Sequence, residues 1–527
     1  MRRVFLLAFA AFFAMSATWA LIAPLGTTID EGAHMTWAAA VADGQLAPSR
    51  YDKPWGHDVL WVDAKVRVPE VIADLGVGSG CSARDPEKPA TCMSSPESDS
   101  TRLVPSSTIM SLYNPLYYLV VGWPVYVLPG LDGLYAMRLI SALLCSLLVA
   151  CAAVTALRIG RVAFAGVLVA ATPMVLFQAA SVNPNGPEAA GGLLAFTALS
   201  ALALDPEPAR VRSRLSLLAL GTSVVVIVRP AGLEWLGVIA VMAVLLVGAR
   251  QLLHIVRDRR SWPALGGIVI AALYAAAWNF TRGGLNSIPL PNGDKYTLKD
   301  SLTDSVNGTP GMLRSMLGPF SSSDTFSPFG TEAAWLCLLG FLLVGAALFA
   351  TRRQLLVLGF WFAGVVLMPT VANALTGPGL INLWQGRYGL WFAAGLPVYA
   401  AMIIDLRLAA STPSVERRLP PIMVAAVALG HLGVFWFAAR RFGVGLAGSV
   451  LPHHFKWEPP LTWAGNGLLL LLGLALLALL AWRGAPTQEA SLPPQDPDVE
   501  PSPHEPDPTT TRPTIFRFVR RPALKVS

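Results

Sequence analysis

The stretch LYAMRLISALLCSLLVACAAVTAL, Leu134–Leu157, carries one charge, at Arg138, and ends at Arg158 and Arg161. Wound as a helix rising about 1.5 Å per residue, it is long enough to cross about 30 Å of hydrocarbon. Similar apolar runs recur on both sides of it: Val4–Ala23, Val162–Val182, Glu188–Leu204, Leu215–Val228, Leu233–Gly248, Pro263–Phe280, Ala333–Ala350, Gln354–Leu375, Tyr388–Ile404, Ile422–Ala439 and Trp463–Trp482. About twelve spans result. Composition agrees. Of 527 residues, 54% are hydrophobic and 13% charged, with mean hydropathy +0.54, where soluble domains carry about 25% charged residues. The expected fold is an all-α polytopic membrane protein.

The net charge of +7 does not point to nucleic acid, because the arginines sit in short clusters between apolar runs. Cytoplasmic loops concentrate such charge. Arg2 and Arg3 place the N-terminus inside, and Val4–Ala23 reads as an uncleaved first span. Ser111–Pro129 holds Pro115, Pro124 and Pro129. Counted as non-spanning, it leaves Arg210/Arg212/Arg214, Arg250/Arg257/Arg259/Arg260, Arg352/Arg353, Arg407/Arg417/Arg418 and Arg483 inside; counted as a span, it moves the Arg210 and Arg250 clusters outside. The charge rule favours the first reading. Arg440 and Arg441 are its exception. The expected plan is a transmembrane domain over residues 1–483, with a large first external loop over about 24–111. Further external segments cover about 281–332, 376–387 and 440–462. A disordered cytoplasmic tail, rich in Pro, Asp, Glu and Thr, covers 484–527. Cys81 and Cys92 share the first loop and are expected to form a disulfide; Cys145, Cys151 and Cys337 lie in apolar runs.

Four polar groups stand out, all on the outer side by this charge count. Asp30-Glu31 with His34 follows the first span. A carboxylate there could accept a hydroxyl proton or help hold a metal. On a helix, Asp30 and His34 share a face. The same residues, with Thr27 and Thr28, also read as a helix start. Tyr113-Asn114-Pro115-Leu116-Tyr117-Tyr118 marks a return to the membrane, either as an aromatic anchor or as a binding surface; Arg138 follows inside the next span and suits phosphate. Ser181-Val182-Asn183-Pro184-Asn185-Gly186-Pro187-Glu188 is a tight turn whose Asn183 and Asn185 could bind a sugar. Arg229 and Glu234 at another short turn read as an ion pair. Trp384-Gln385-Gly386-Arg387-Tyr388 brings Arg387 to headgroup depth, with Gln385 and Tyr388 as hydrogen-bonding partners.

This order resembles the GT-C glycosyltransferases: a first span, an acidic pair in a large loop, a Pro-Leu-Tyr-Tyr re-entry, then a span carrying Arg. Bacterial protein O-mannosyltransferases and lipid A aminoarabinose transferases share it. A closer likeness is to bacterial polytopic membrane proteins related to those enzymes. They carry Asp-Glu-x-x-His, Ser-x-Asn-Pro and Gln-x-Arg-Tyr motifs, here Asp30–His34, Ser181–Pro184 and Gln385–Tyr388. The likeness runs to about Arg441. It implies a transferase in the cell membrane that moves a sugar from a polyprenyl phosphate to an envelope glycan, lipid or protein on the outer face. Asp30 would then serve as base or acceptor-positioning group, and Arg387 with Arg138 would hold the phosphate. Glu31 and His34 would order the loop or hold a divalent metal. The sibling enzymes usually have Pro or Lys at Asn114, so the donor's identity stays open. The competing class is a transporter or flippase of lipid-linked sugars, which predicts paired broken helices from an internal repeat; the sequence shows no such repeat.

Overall fold

The computed structural model describes residues 1–55, 59–78, 85–92, 101–284, 290–291, 297–321, 324–375, 384–411, 413–451 and 454–483. The Cys81–Cys92 pairing, His453 and the 484–527 tail lie outside the described residues or side chains. The chain is an all-α polytopic membrane protein. Among the described residues ten helices are long and apolar enough to cross a membrane, or up to twelve if each of two bent pairs is one span.

The elements run α1 (Arg2–Ile22), α2 (Glu31–Ala42), β1 (Arg50–Trp55), β2 (Val59–Pro69), α3 (Glu70–Gly78), β3 (Leu103–Thr108), α4 (Pro115–Gly122), α5 (Gly130–Leu157), α6 (Arg161–Ala170), α7 (Pro173–Ala179) and α8 (Asn185–Leu204). Then come α9 (Val211–Val228), α10 (Gly232–Val247), α11 (Ala249–Arg257), α12 (Trp262–Arg282), β4 (Leu290–Pro291), α13 (Leu298–Arg314), α14 (Phe329–Phe349), α15 (Arg352–Leu375), α16 (Leu390–Ala393), α17 (Gly395–Ser411), α18 (Pro413–Gly443) and α19 (Thr462–Arg483). Segment 111–129 does not cross: α4 has 8 residues, about 12 Å of helix.

The expected span Val162–Val182 is broken. α6 and α7 meet at 67° because Thr172 starts a new helix: its hydroxyl accepts from the Val175 amide, and Pro173 occupies the first turn, where its missing N–H costs nothing. The other bend, 108° between α10 and α11, falls at Gly248, whose φ of 95° suits glycine.

The centre of the bundle is α8 with the span formed by α16 and α17; 89% of each is buried, against 22% for α12, α14 and α15. Water-free packing between helices rewards close approach of small residues. A Cβ on Gly192 would stand 2.2 Å from the Trp391 carbonyl, and one on Gly221 would stand 2.5 Å from the Gly191 carbonyl. These glycines let α8 touch α16 and α9.

The first loop carries a small antiparallel sheet, which the hydropathy pattern does not announce. β2 pairs with β1, β3 and β4. The sheet is tied to the bundle by Arg50, which donates to the carbonyls of Arg282 and Ser111, and by Thr108, which donates to the Ala33 carbonyl at 2.8 Å. α2 lies on α4, and a Cβ on Gly122 would come 2.1 Å from the Ala38 carbonyl. At the opposite end, Arg210 donates to the Arg158 carbonyl, Arg214 pairs with Asp205, and Arg353 donates to the carbonyls of Leu245 and Leu246.

Arg440 and Arg441, the exceptions to the charge rule, both bond within the protein. Arg441 is fully buried and bonds Asp324 Oδ2 at 3.0 Å, Thr325 Oγ1 at 3.2 Å and the Lys88 carbonyl at 2.7 Å. Arg440 donates to the Leu446 carbonyl at 2.6 Å. For Arg441 the break with the charge rule is explained by internal pairing, since a buried cation needs a partner.

Candidate functional site

The four sequence motifs, far apart in the chain, meet at one end of the bundle. Asp30 has φ 63° and ψ −3°, a left-handed conformation uncommon outside glycine. Its side chain makes no hydrogen bond to the start of α2, so capping does not account for it. Instead Asp30 Oδ2 accepts from Arg387 Nη2 at 2.6 Å. Asp30 is 38% exposed and Arg387 3% exposed. Strained backbone that aims one carboxylate at a buried cation marks a candidate site.

Glu31 turns the other way. It makes a fully buried pair with Arg138, whose Nε donates to Glu31 Oε1 at 2.8 Å while Nη2 bonds Oε2. Arg138 also donates to the carbonyls of Ala20, Ala23 and Pro24. Glu31 Oε1 accepts from the Val182 amide at 3.0 Å. The Arg138 head is therefore engaged on all sides by protein, and the pair fixes the end of α1, the start of α2, α5 and the α7–α8 turn. Arg138 does not face the same space as Arg387.

The turn is pinned by its own polar atoms. Asn183 Nδ2 donates to the Ile29 carbonyl at 3.3 Å, Asn183 Oδ1 accepts from the Asn185 amide at 3.0 Å, and Tyr117 Oη accepts from the Asn183 amide at 3.1 Å. The Tyr117 and Ser141 hydroxyls are 3.0 Å apart. Asn114 caps α4 through the Leu116 amide. His34 Nδ1 lies 2.7 Å from the Tyr118 hydroxyl, with Tyr113 edge-on to its ring. Burial first, then the charges of Arg387 and Arg229, push the His34 imidazole well below its ordinary value. His34 is buried and engaged by Tyr118. Among the described residues no three His, Cys, Asp or Glu side chains assemble as a metal site; Glu31 is held by Arg138 and His34 by Tyr118.

Arg229 does not pair with Glu234. It bonds Asn185 Oδ1 and lies 3.4 Å from Glu188 Oε2, while Trp235 donates to Glu188 Oε1 at 2.9 Å. Burial alone would lower its pKa, but the Glu188 carboxylate outweighs that and raises it. Tyr388 stands between two guanidiniums, with Arg229 4.4 Å and Arg387 5.1 Å from its ring centre. The sequence places Glu188 and Arg229 at two outer turns but pairs Arg229 with Glu234; the partner it takes lies 41 positions away.

Arg387 borders a cavity of about 320 Å³, lined also by Ile29, Met174, Ser305, Met312, Ser315, Trp384 and Gln385. α13 closes one wall. A Cβ on Gly386 would stand 2.3 Å from Ser315 Oγ, which accepts from the Gly386 amide at 2.9 Å. Arg387 Nε and Nη1 are both buried and without a hydrogen-bond partner. Leaving such donors unsatisfied is costly, so the residue that borders the cavity carries two unused cationic N–H groups and holds a half-open carboxylate.

The fold and site define a polytopic helical membrane protein with a charged, partly enclosed site at one end of the bundle. The chain belongs to the family described as "Predicted membrane protein (DUF2142)", whose model matches residues 13–396. No curated protein and no solved structure matches it.

Proposed function

We propose that this protein is a GT-C-type glycosyltransferase of the cell membrane, moving a sugar from a polyprenyl phosphate to an envelope acceptor on the outer face. One observation carries the reading: Arg387, which borders the cavity, holds Asp30 with Nη2 while Nε and Nη1 stay buried and unpaired. A buried guanidinium with two N–H donors still unsatisfied suits an anionic phosphate.

The chemistry is one displacement at the anomeric carbon. The acceptor oxygen forms a bond to that carbon. The bond from carbon to phosphate oxygen breaks, and the electron pair leaves with the polyprenyl phosphate. The acceptor proton passes to Asp30. Before the donor arrives, Asp30 is the counter-ion of Arg387. Charge building on the leaving phosphate is met by Arg387. Glu31, Arg138, His34, Asn183 and Arg229 act at one remove, by fixing the loop, the turn and Tyr388.

A flippase of lipid-linked sugars is the second reading, supported by the broken α6–α7 span beside the site. The two part on a carboxylate: Asp30→Asn stops transfer but need not stop translocation. Envelope glycans from cells lacking the protein are compared with those from cells carrying Asp30→Asn. The transferase reading expects the same sugar to be missing in both, with the lipid-linked donor accumulating. Unchanged glycans in the Asp30→Asn cells overturn it.

A further inference from the structure

At the end of the bundle away from the site, the chain turns through 108° at Gly248 and runs into α11. The helix RQLLHIVR, Arg250–Arg257, sorts its side chains by face. At 100° per residue, Arg250, His254 and Arg257 fall within about 60° of one another. Leu252 and Ile255 point into the bundle, packing with Leu202, Val211 and Leu215. Between these two faces lie Leu253 and Val256, which are 53% and 52% exposed. Arg259 and Arg260 follow, both exposed. Trp262, 56% exposed, donates to the Val256 carbonyl at 3.1 Å and so stays against the helix.

Three bands therefore run side by side along α11: one anchored in protein, one apolar and open, one cationic and open. A helix bent out of a spanning segment, with an apolar flank, a row of arginines and a tryptophan, matches the boundary of a bilayer, where acyl chains meet headgroups. Water alone satisfies the arginines but not the apolar flank; hydrocarbon alone satisfies the flank but not the arginines.

We infer that α11 and the Arg259–Trp262 turn form a binding site for anionic phospholipid in the adjacent leaflet. Leu253, Val256 and Trp262 lie against acyl chains. Arg250, Arg257, Arg259 and Arg260 hold the phosphate and any further headgroup charge. The site lies at the opposite end from Asp30 and Arg387 and does not depend on the transferase reading.

The test uses the full-length protein in nanodiscs and in detergent. A photo-crosslinking phosphatidylglycerol is expected to label peptides within 249–262, and phosphatidylglycerol is expected to raise the thermal midpoint more than phosphatidylcholine does. Free inorganic phosphate at matched charge is expected to give no such rise, which separates a lipid site from an anion site. Neutralising Arg250, Arg257, Arg259 and Arg260 to Gln should weaken retention of phosphatidylglycerol by roughly fivefold per arginine near a membrane surface, with the midpoint in phosphatidylcholine unchanged. The preference should also shrink as salt is raised. Equal stabilisation by both lipids, crosslinks mapping elsewhere, or protein–protein crosslinks through 249–262 in place of lipid capture overturn the proposal. The crosslink map on the unaltered protein decides the matter even if the fourfold variant does not fold.

Discussion

Arg387 Nη2 donates to Asp30 Oδ2 at 2.6 Å, a contact between positions 357 residues apart. The pair closes the first loop against the start of the α16–α17 span. The two residues are unequal: Asp30 is over a third exposed, and Arg387 is almost wholly buried. A substrate can reach the carboxylate, while the guanidinium reaches only what enters the cavity.

Asp30→Asn keeps the shape and removes both charge and basicity. Transfer is expected to fall by roughly two to four orders of magnitude, the usual contribution of a general base. Protein abundance in the membrane should hold, because the side chain is half-open and does not cap its helix. Transfer within a few-fold of wild type would remove Asp30 from the chemistry.

The Glu31–Arg138 pair predicts a structural phenotype of a different kind. Both side chains are buried, at 0% and 1% exposure. Removing one partner leaves a buried charge and costs about 3–5 kcal/mol. Glu31→Gln and Arg138→Gln should each lower the thermal midpoint and the yield of folded protein. The double change Glu31→Leu with Arg138→Met should recover part of the loss. A double variant as unstable as the two losses added together would show that the pair is not a unit.

The motifs were legible because each holds unusual residues for a membrane surface, and because alternation of spans puts them on one side. Residue roles were less so. Glu31 and Arg138 looked available for chemistry, and only the fold shows each to be the other's partner. Asn183 looked like a sugar ligand, but its amide is occupied by Ile29 and Asn185. Arg229 with Glu234 is a natural pairing by proximity in sequence, yet the α8–α9 packing through Gly191 and Gly221 brings Glu188 to it instead. The small sheet is hard to read from sequence because period-two alternation in a Pro- and Gly-rich loop is weak beside twelve apolar runs. The break at Thr172 was written in Thr-Pro, the start of a helix, within an otherwise continuous apolar run.

His34 makes stability depend on pH. Its folded pKa lies below the ordinary 6.5, so an opened α2–α4 contact binds more protons than the closed one as pH drops. Stability is therefore full above about pH 6.5 and declines as pH falls through 6.5 toward the depressed folded value. Thermal midpoints between pH 8 and pH 5 should fall more steeply for the wild type than for His34→Gln. Parallel slopes for the two proteins would show that His34 does not titrate with opening.

Topology offers a test free of activity. Single cysteines placed beside Asp30, Asn183 and Arg387 are expected to react with an impermeant reagent from the outer side of intact cells, and a cysteine beside Arg257 only after permeabilisation. Labelling of the Asn183 and Arg387 sites from opposite sides would break the common site.

The most direct measurement of the account is transfer from a polyprenyl-phosphate sugar by purified Arg387→Lys and Arg387→Ala. Lysine keeps a charge but loses the fork that meets phosphate oxygens, and alanine loses both. The expected result is partial turnover for Arg387→Lys and almost none for Arg387→Ala, with the loss in kcat, because the guanidinium acts on charge that develops as the phosphate leaves. A change confined to KM, or wild-type constants in Arg387→Ala, would contradict the role assigned to Arg387 and with it the transferase reading of the site.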